Sequence, residues 1–114
     1  GTGSPMREFL HVDDLGSAVL FAVENVLEDS LYNVGTGMDL TIKELAEKIQ
    51  KLVGHQGSIV WDNSKPDGTP RKLLEVSKIG KEGWTSSNKL DIGLRETYEW
   101  FQTNIKSIRK VKIK

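Results

Sequence analysis

The sequence predicts an α/β domain with a small sheet and about three long helices, and three observations carry that reading. Apolar residues recur at helical spacing in three separate stretches, short apolar runs bounded by glycine or charged residues alternate with them, and the helical stretches carry their own start and stop signals. Strands alternating with helices argue for α/β rather than a bundle.

The elements follow in chain order. Glu8 to Val12 is a strand candidate, after which Asp13 or Asp14 can cap a helix whose apolar positions run from Leu15 through Ala18, Val19, Ala22, Val23 and Val26 to Leu27. These positions surround much of the helix, as expected where one side packs on another domain; an isolated chain is expected to hide that side by self-association. Leu31 to Val34 reads as a strand ended by Gly35-Thr36-Gly37. Thr41 and Glu44 form a capping-box pair ahead of Ile42, Leu45, Ala46, Ile49, Leu52 and Val53, and Gly54 supplies a left-handed stop. Gly57 to Trp61 reads as a further strand, and Ser77 to Glu82 as one or two helical turns stopped by Gly83. A third long helix runs from Leu90 to about Ile105, with Leu94, Tyr98, Phe101 and Ile105 on one face and Gly93 marking a close approach. Residues 1–105 are expected to form the domain. Residues 106–114, with five basic side chains and no acid, form a basic tail, read as a solvated terminus or an anion-binding segment.

Composition narrows the function classes. The 114 residues hold 16 basic and 16 acidic side chains, so no global field draws the chain to nucleic acid or an anionic membrane. With no cysteine, disulfides, thiolate metal sites and cysteine nucleophiles are excluded. No apolar run approaches spanning length and no leader-like segment is present, so the expected location is the cytoplasm. Gly1 to Ser4 reads either as a cloning remnant or as a native glycine-rich loop.

The chemistry concentrates between Asp62 and Lys72, where Asp62, Lys65, Asp67, Arg71 and Lys72 surround Pro66, Gly68 and Pro70. Pro66, Asp67 and Gly68 suit the second, third and fourth positions of a turn, so the backbone is expected to reverse there and gather Lys65, Arg71 and Lys72 around Asp67. An Arg fork and Lys charges recognise phosphate oxygens, while a carboxylate accepts from sugar hydroxyls or base edges, so the mixture suits a sugar nucleotide. The same composition also describes a solvated connector. Arg7, between a glycine-rich loop and a strand, can reach the same anion or form a surface ion pair. His11 with Asp13 and Asp14 could be metal ligands or a base with an orienting acid, but capping by the aspartates, with His11 packed or satisfied at a strand end, is the better account of the pattern. Trp61, Trp84 and Trp100 are spaced too widely for a stacking box and read as core or interface residues. Gly35-Thr36-Gly37 is followed by Leu40 where a dinucleotide fingerprint needs its third glycine, and no Tyr-x-x-x-Lys pair is present.

Three ordered motifs, Pro5 to Asp14, Asn33 to Gly37 and Ser64 to Leu74, closely resemble the C-terminal part of the GDP-L-fucose synthases. These are GDP-4-keto-6-deoxy-D-mannose epimerase-reductases of the extended short-chain dehydrogenase/reductase family. The resemblance implies a substrate-binding portion without the Rossmann core. In the whole enzyme an N-terminal Rossmann domain binds NADP(H), and the 4-keto sugar of a GDP-sugar is epimerised at C3 and C5 and then reduced at C4. The catalytic Ser, Tyr and Lys of that family have no counterparts here, so this chain alone is expected to be inactive and to bind no cofactor. Arg7 and Asp67 match substrate-contacting residues of the family, and Arg71 and Lys72 lie in the same motif as phosphate partners. The expected partners are therefore a GDP-sugar and the missing N-terminal Rossmann domain. Gly1 to Ser4 agrees with the family loop, and Lys89 stands where the family caps its last helix with Ser or Thr, shifting the expected start to Asn88. A non-catalytic interaction module with an anion-binding tail is the competing expectation.

Overall fold

A computed structural model describes residues 1–107. The basic tail falls largely beyond them, so the expectations for residues 108–114 lie outside the described residues. The described chain has three short strands, β1 (Met6–Glu8), β2 (Asp39–Thr41) and β3 (Arg71–Lys72), and four helices, α1 (Val12–Glu24), α2 (Ile42–Val53), α3 (Ser77–Glu82) and α4 (Leu90–Asn104). The strands form one mixed sheet in the order β2-β1-β3, with β1 antiparallel to β2 and parallel to β3.

Helix α2 follows its local signals. Thr41 Oγ1 accepts the Glu44 N–H at 3.0 Å, Glu44 Oε2 accepts the Thr41 N–H at 2.7 Å, and Gly54 closes the helix at φ 70°. Gly83 ends α3 in the same left-handed way at φ 109°. In α4, Gly93 is buried because His11 lies against it, and a Cβ there would sit 2.8 Å from His11 Cδ2.

Several elements depart from the sequence reading, each for a physical reason. The first strand is Met6–Glu8 rather than 8–12, because only those residues find ladder partners, and α1 starts at Val12. Its N-cap is His11, whose Nδ1 accepts the Asp13 N–H at 3.3 Å, rather than Asp13 or Asp14. The helix stops at Glu24 instead of Leu27, where the Asn25 N–H and side-chain amide both donate to Phe21 O. Neither 31–34 nor 57–61 forms a strand, since neither meets a ladder neighbour among the described residues. The hydrogen-bonded turn before β3 spans 62–65, three residues earlier than expected. Lys65 N–H closes on Asp62 O at 3.3 Å, and Asp62 Oδ1 accepts the Ser64 N–H at 3.0 Å, the side-chain turn to which Asp is suited. Lys89, without a side-chain cap, precedes α4, because Asn88 is engaged by Asp14.

The buried core is small: Ala18, Ile79 and Trp84, with Leu10, Phe21, Tyr32 and Val34 packed against it. Trp84 Nε1–H donates to Ser17 Oγ at 3.0 Å, so its ring is buried without an orphaned donor. Asp14, 1% exposed, ties α1 to the segment before α4. Its carboxylate accepts the N–H and hydroxyl of Ser87 and the N–H and side-chain amide of Asn88, at 2.9 to 3.0 Å. Burial pushes this carboxyl upward, but those four donors outweigh it and hold it below the usual carboxylate range.

Around that core the molecule is open. Its radius of gyration is 17.0 Å, against about 13 Å for a compact domain near this length. Val12, Leu15, Val19, Leu20 and Val23 of α1 are exposed, as is Leu31. An uncovered apolar helix face beside a segment with no ladder partner is the pattern of a surface that packs on something else.

Candidate functional site

The site is built by the sheet register. Arg7 of β1 lies opposite Leu40 of β2 and Lys72 of β3, while Met6 lies opposite Thr41 and Arg71. Side chains alternate across a strand, so Arg7 and Lys72 share one face and Arg71 projects from the other. There Arg71 is occupied: its Nε and Nη2 donate to the two oxygens of Asp39 at 2.6 and 3.1 Å, a bidentate pair. Hydrogen bonding and charge in this pair hold the Asp39 carboxyl below its ordinary range and raise the guanidinium of Arg71. Lys65, Arg71 and Lys72 thus do not gather around Asp67 as the sequence led us to expect, and none of them pairs with it.

Arg7 and Asp67 do meet. They line one cleft of about 380 Å³ with Gly1, Gly3, Pro5, Ile42, Trp61, Asp62 and Pro66. The loop 1–5 forms one wall, fixed to the start of α2 by Lys43 N–H donating to Gly3 O at 2.8 Å and Ile42 N–H to Pro5 O at 3.0 Å. Gly3 has φ 79° and lies against the indole of Trp61, where a Cβ would come within 2.6 Å of the ring, so only glycine fits without displacement.

Asp67 faces that loop. Its Oδ1 accepts the Thr2 N–H at 2.5 Å, and its Oδ2 accepts the hydroxyls of Thr2 at 2.6 Å and Ser4 at 3.3 Å. Hydrogen bonds from Thr2, side chain first, hold its carboxyl below the usual range. Among the described residues no cation pairs with Asp67, and no carboxylate pairs with Arg7. The guanidinium has five N–H donors and places one on Met6 O at 2.6 Å. The cleft therefore presents one guanidinium, two carboxylates, of which Asp62 already accepts the N–H and hydroxyl of Ser64, and an aromatic wall, a set suited to a ligand that combines an anionic group with hydroxyl or base-edge donors.

Behind the sheet, Glu8 gathers distant backbone. Its Oε1 accepts the N–H of Thr36 at 2.5 Å and of Gly37 at 2.6 Å, and its Oε2 accepts the Leu74 N–H at 3.1 Å. The Gly35-Thr36-Gly37 turn is thereby filled by this chain's own carboxylate and does not fit a cofactor phosphate. A larger hollow of about 670 Å³ between α2 and α4 has charges of both signs, with Lys48 and Asp91 paired at 2.7 Å across it.

Sequence reasoning missed Trp61, Thr2 and Ser4 as parts of this site. Trp61 reads as core from composition. The hydrogen bonds from Thr2 to Asp67 span 65 positions, a pairing for which one sequence carries no signal.

The family model for the NAD dependent epimerase/dehydratase family matches residues 1–35. In structure, the chain is similar to the GDP-mannoheptose C4 reductase MlghC from Campylobacter jejuni with NADP bound. The TM-score is 0.77 at 35% identity, over 90% of this chain and 33% of that one. Fold and match together place its resemblance among the extended short-chain dehydrogenase/reductases.

Within that class the chain resembles the GDP-L-fucose synthases. It is 54% identical over 110 residues to the probable GDP-L-fucose synthase 1 of Oryza sativa subsp. japonica, covering 96% of this chain and 34% of that protein. It is 50% identical over 113 residues to the GDP-L-fucose synthase of Escherichia coli (strain K12), covering 91% of this chain and 35% of that protein. The chain thus spans about a third of the length of the curated relatives it matches. Among the described residues no helix is long and apolar enough to cross a membrane.

Proposed function

We propose that this chain is the GDP-sugar-binding, C-terminal part of a GDP-L-fucose synthase. The observation that carries the reading is the meeting of Arg7 and Asp67 in one cleft, from segments 60 positions apart, with Lys72 beside Arg7 in the sheet. Arg7 and Lys72 take the diphosphate, and Asp67 accepts from hydroxyl or base-edge donors. Arg71, held by Asp39, contributes to the diphosphate only by leaving that pair. On this reading residues 1–105 form the sugar-nucleotide-binding domain.

The whole protein then converts GDP-4-dehydro-6-deoxy-D-mannose to GDP-L-fucose by 3,5-epimerisation and NADPH-dependent reduction at C4, in the cytoplasm. The hydride donor and the proton-moving side chains belong to a Rossmann domain outside this chain, and the exposed face of α1 with residues 31–34 packs against that domain. In its absence the same face drives self-association.

Titrating GDP while following backbone amide shifts tests the site. Shifts clustered on residues 1–7 and 61–72 are expected; shifts scattered over the molecule overturn it. Supplying the missing domain separately with NADPH and the 4-keto sugar nucleotide tests the reaction. NADPH consumption is expected only with both parts present, and none despite demonstrated association overturns the assignment.

A further inference from the structure

Asp67 is the acidic wall of the cleft, yet a carboxylate on a loop turns freely about its last torsion unless something fixes it. Thr2 fixes it at two points, with its N–H on one oxygen and its hydroxyl on the other, at 2.5 and 2.6 Å. Ser4 adds a longer contact at 3.3 Å to the oxygen already held by the hydroxyl, and its N–H donates to Thr2 Oγ1 at 3.2 Å, steadying that hydroxyl. The branched Cβ of threonine narrows its own rotamer choice, so the hydroxyl is held toward Asp67 before any ligand arrives.

We propose that Thr2 is a positioning residue for ligand recognition: it clamps both oxygens of Asp67 so that the acceptor position left on Oδ1 points into the cleft. The role rests on the cleft being the nucleotide-sugar site. A carboxylate with two oxygens has about four acceptor positions, so the donors from Thr2 and Ser4 leave room for a ligand hydroxyl or amide. Thr2 itself is exposed and lies outside the core, so its replacement leaves the packing around Trp84 intact.

The test uses the 114-residue chain with GDP as the probe. Affinity is read by calorimetry, and the titration of the Asp67 carboxyl by carbon NMR. Thr2→Val keeps the shape and removes the hydroxyl; it is expected to weaken GDP binding roughly tenfold and to move the Asp67 titration to higher pH. Thr2→Ser keeps the donor and is expected to restore both readings to near those of the parent chain. In an Asp67→Asn background, Thr2→Val is expected to add nothing, since the two residues act as one unit. Thr2 has no positioning role if Thr2→Val leaves the Asp67 titration unmoved, or if it weakens GDP equally with Asn at 67. A chain in which Asp67→Asn binds GDP as tightly as the parent overturns the cleft assignment itself, and the role of Thr2 with it.

Discussion

Asp14 and Asp67 perform the same operation in opposite settings. Each gathers backbone N–H and side-chain donors from a segment more than sixty positions away, and each is held below the ordinary carboxylate range by doing so. Asp14 is 1% exposed and shares its surroundings with the core, so its donors end in structure. Asp67 lines an open cleft with Arg7 and Trp61, and its three donors leave about one of four acceptor positions unfilled. The difference teaches that a carboxylate's hydrogen-bond list does not by itself separate scaffold from site; what lies on its remaining side does.

The largest effect expected from this contrast is on stability. Asp14→Ala removes the shared acceptor of four hydrogen bonds from exposed Ser87 and half-buried Asn88 and should cost about 2 kcal/mol, read as a lowered urea midpoint, while GDP affinity under folding conditions stays as in the parent chain. Arg7→Ala should do the reverse, weakening GDP roughly tenfold or more through the loss of charge-assisted hydrogen bonds with little change in the urea midpoint. If both variants moved both readings together, scaffold and site would not be separable.

Acid sharpens the comparison. The folded Asp14 carboxyl titrates below the unfolded value of about 3.9. Its contribution is therefore complete above that value and is lost as pH falls through the lower folded one. Asp14→Asn should lack this acid-dependent part of the stability curve. Asp67 has the same sign, so its contribution to folding is likewise complete above the unfolded value and lost as pH falls through the lower folded one, and Asp67→Asn should lack that part of the acid-dependent stability curve. The smallest effect is expected at Asp39→Asn, which releases Arg71. A change in GDP affinity below about threefold is expected for a pair whose guanidinium side is open to solvent, and a larger gain would place Arg71 among the direct phosphate contacts.

Legibility in the sequence tracked the range of the interactions. Helix α2 was readable because Thr41, Glu44 and Gly54 act within a few positions of the backbone they satisfy. Residues 31–34 have the apolar character of a strand, but a strand needs a neighbour, and none is among the described residues. His11 rather than an aspartate caps α1 because Asp14 is drawn to Ser87 and Asn88, more than seventy positions on. Arg7 and the 64–74 motif were legible through resemblance. That Arg71 and Lys72 part company was not, because it depends on which residue of β3 stands beside Arg7, and a shift of one residue would exchange their faces.

Glu8 has one further consequence. Successive N–H groups converging in a glycine-flanked turn make a concave seat for small oxyanions, and residues 35–37 have that shape. Because Glu8 occupies it, an oxyanion from solution meets a carboxylate there instead of a free seat. The turn thus carries a tethered decoy of its own, supplied by the strand beside it.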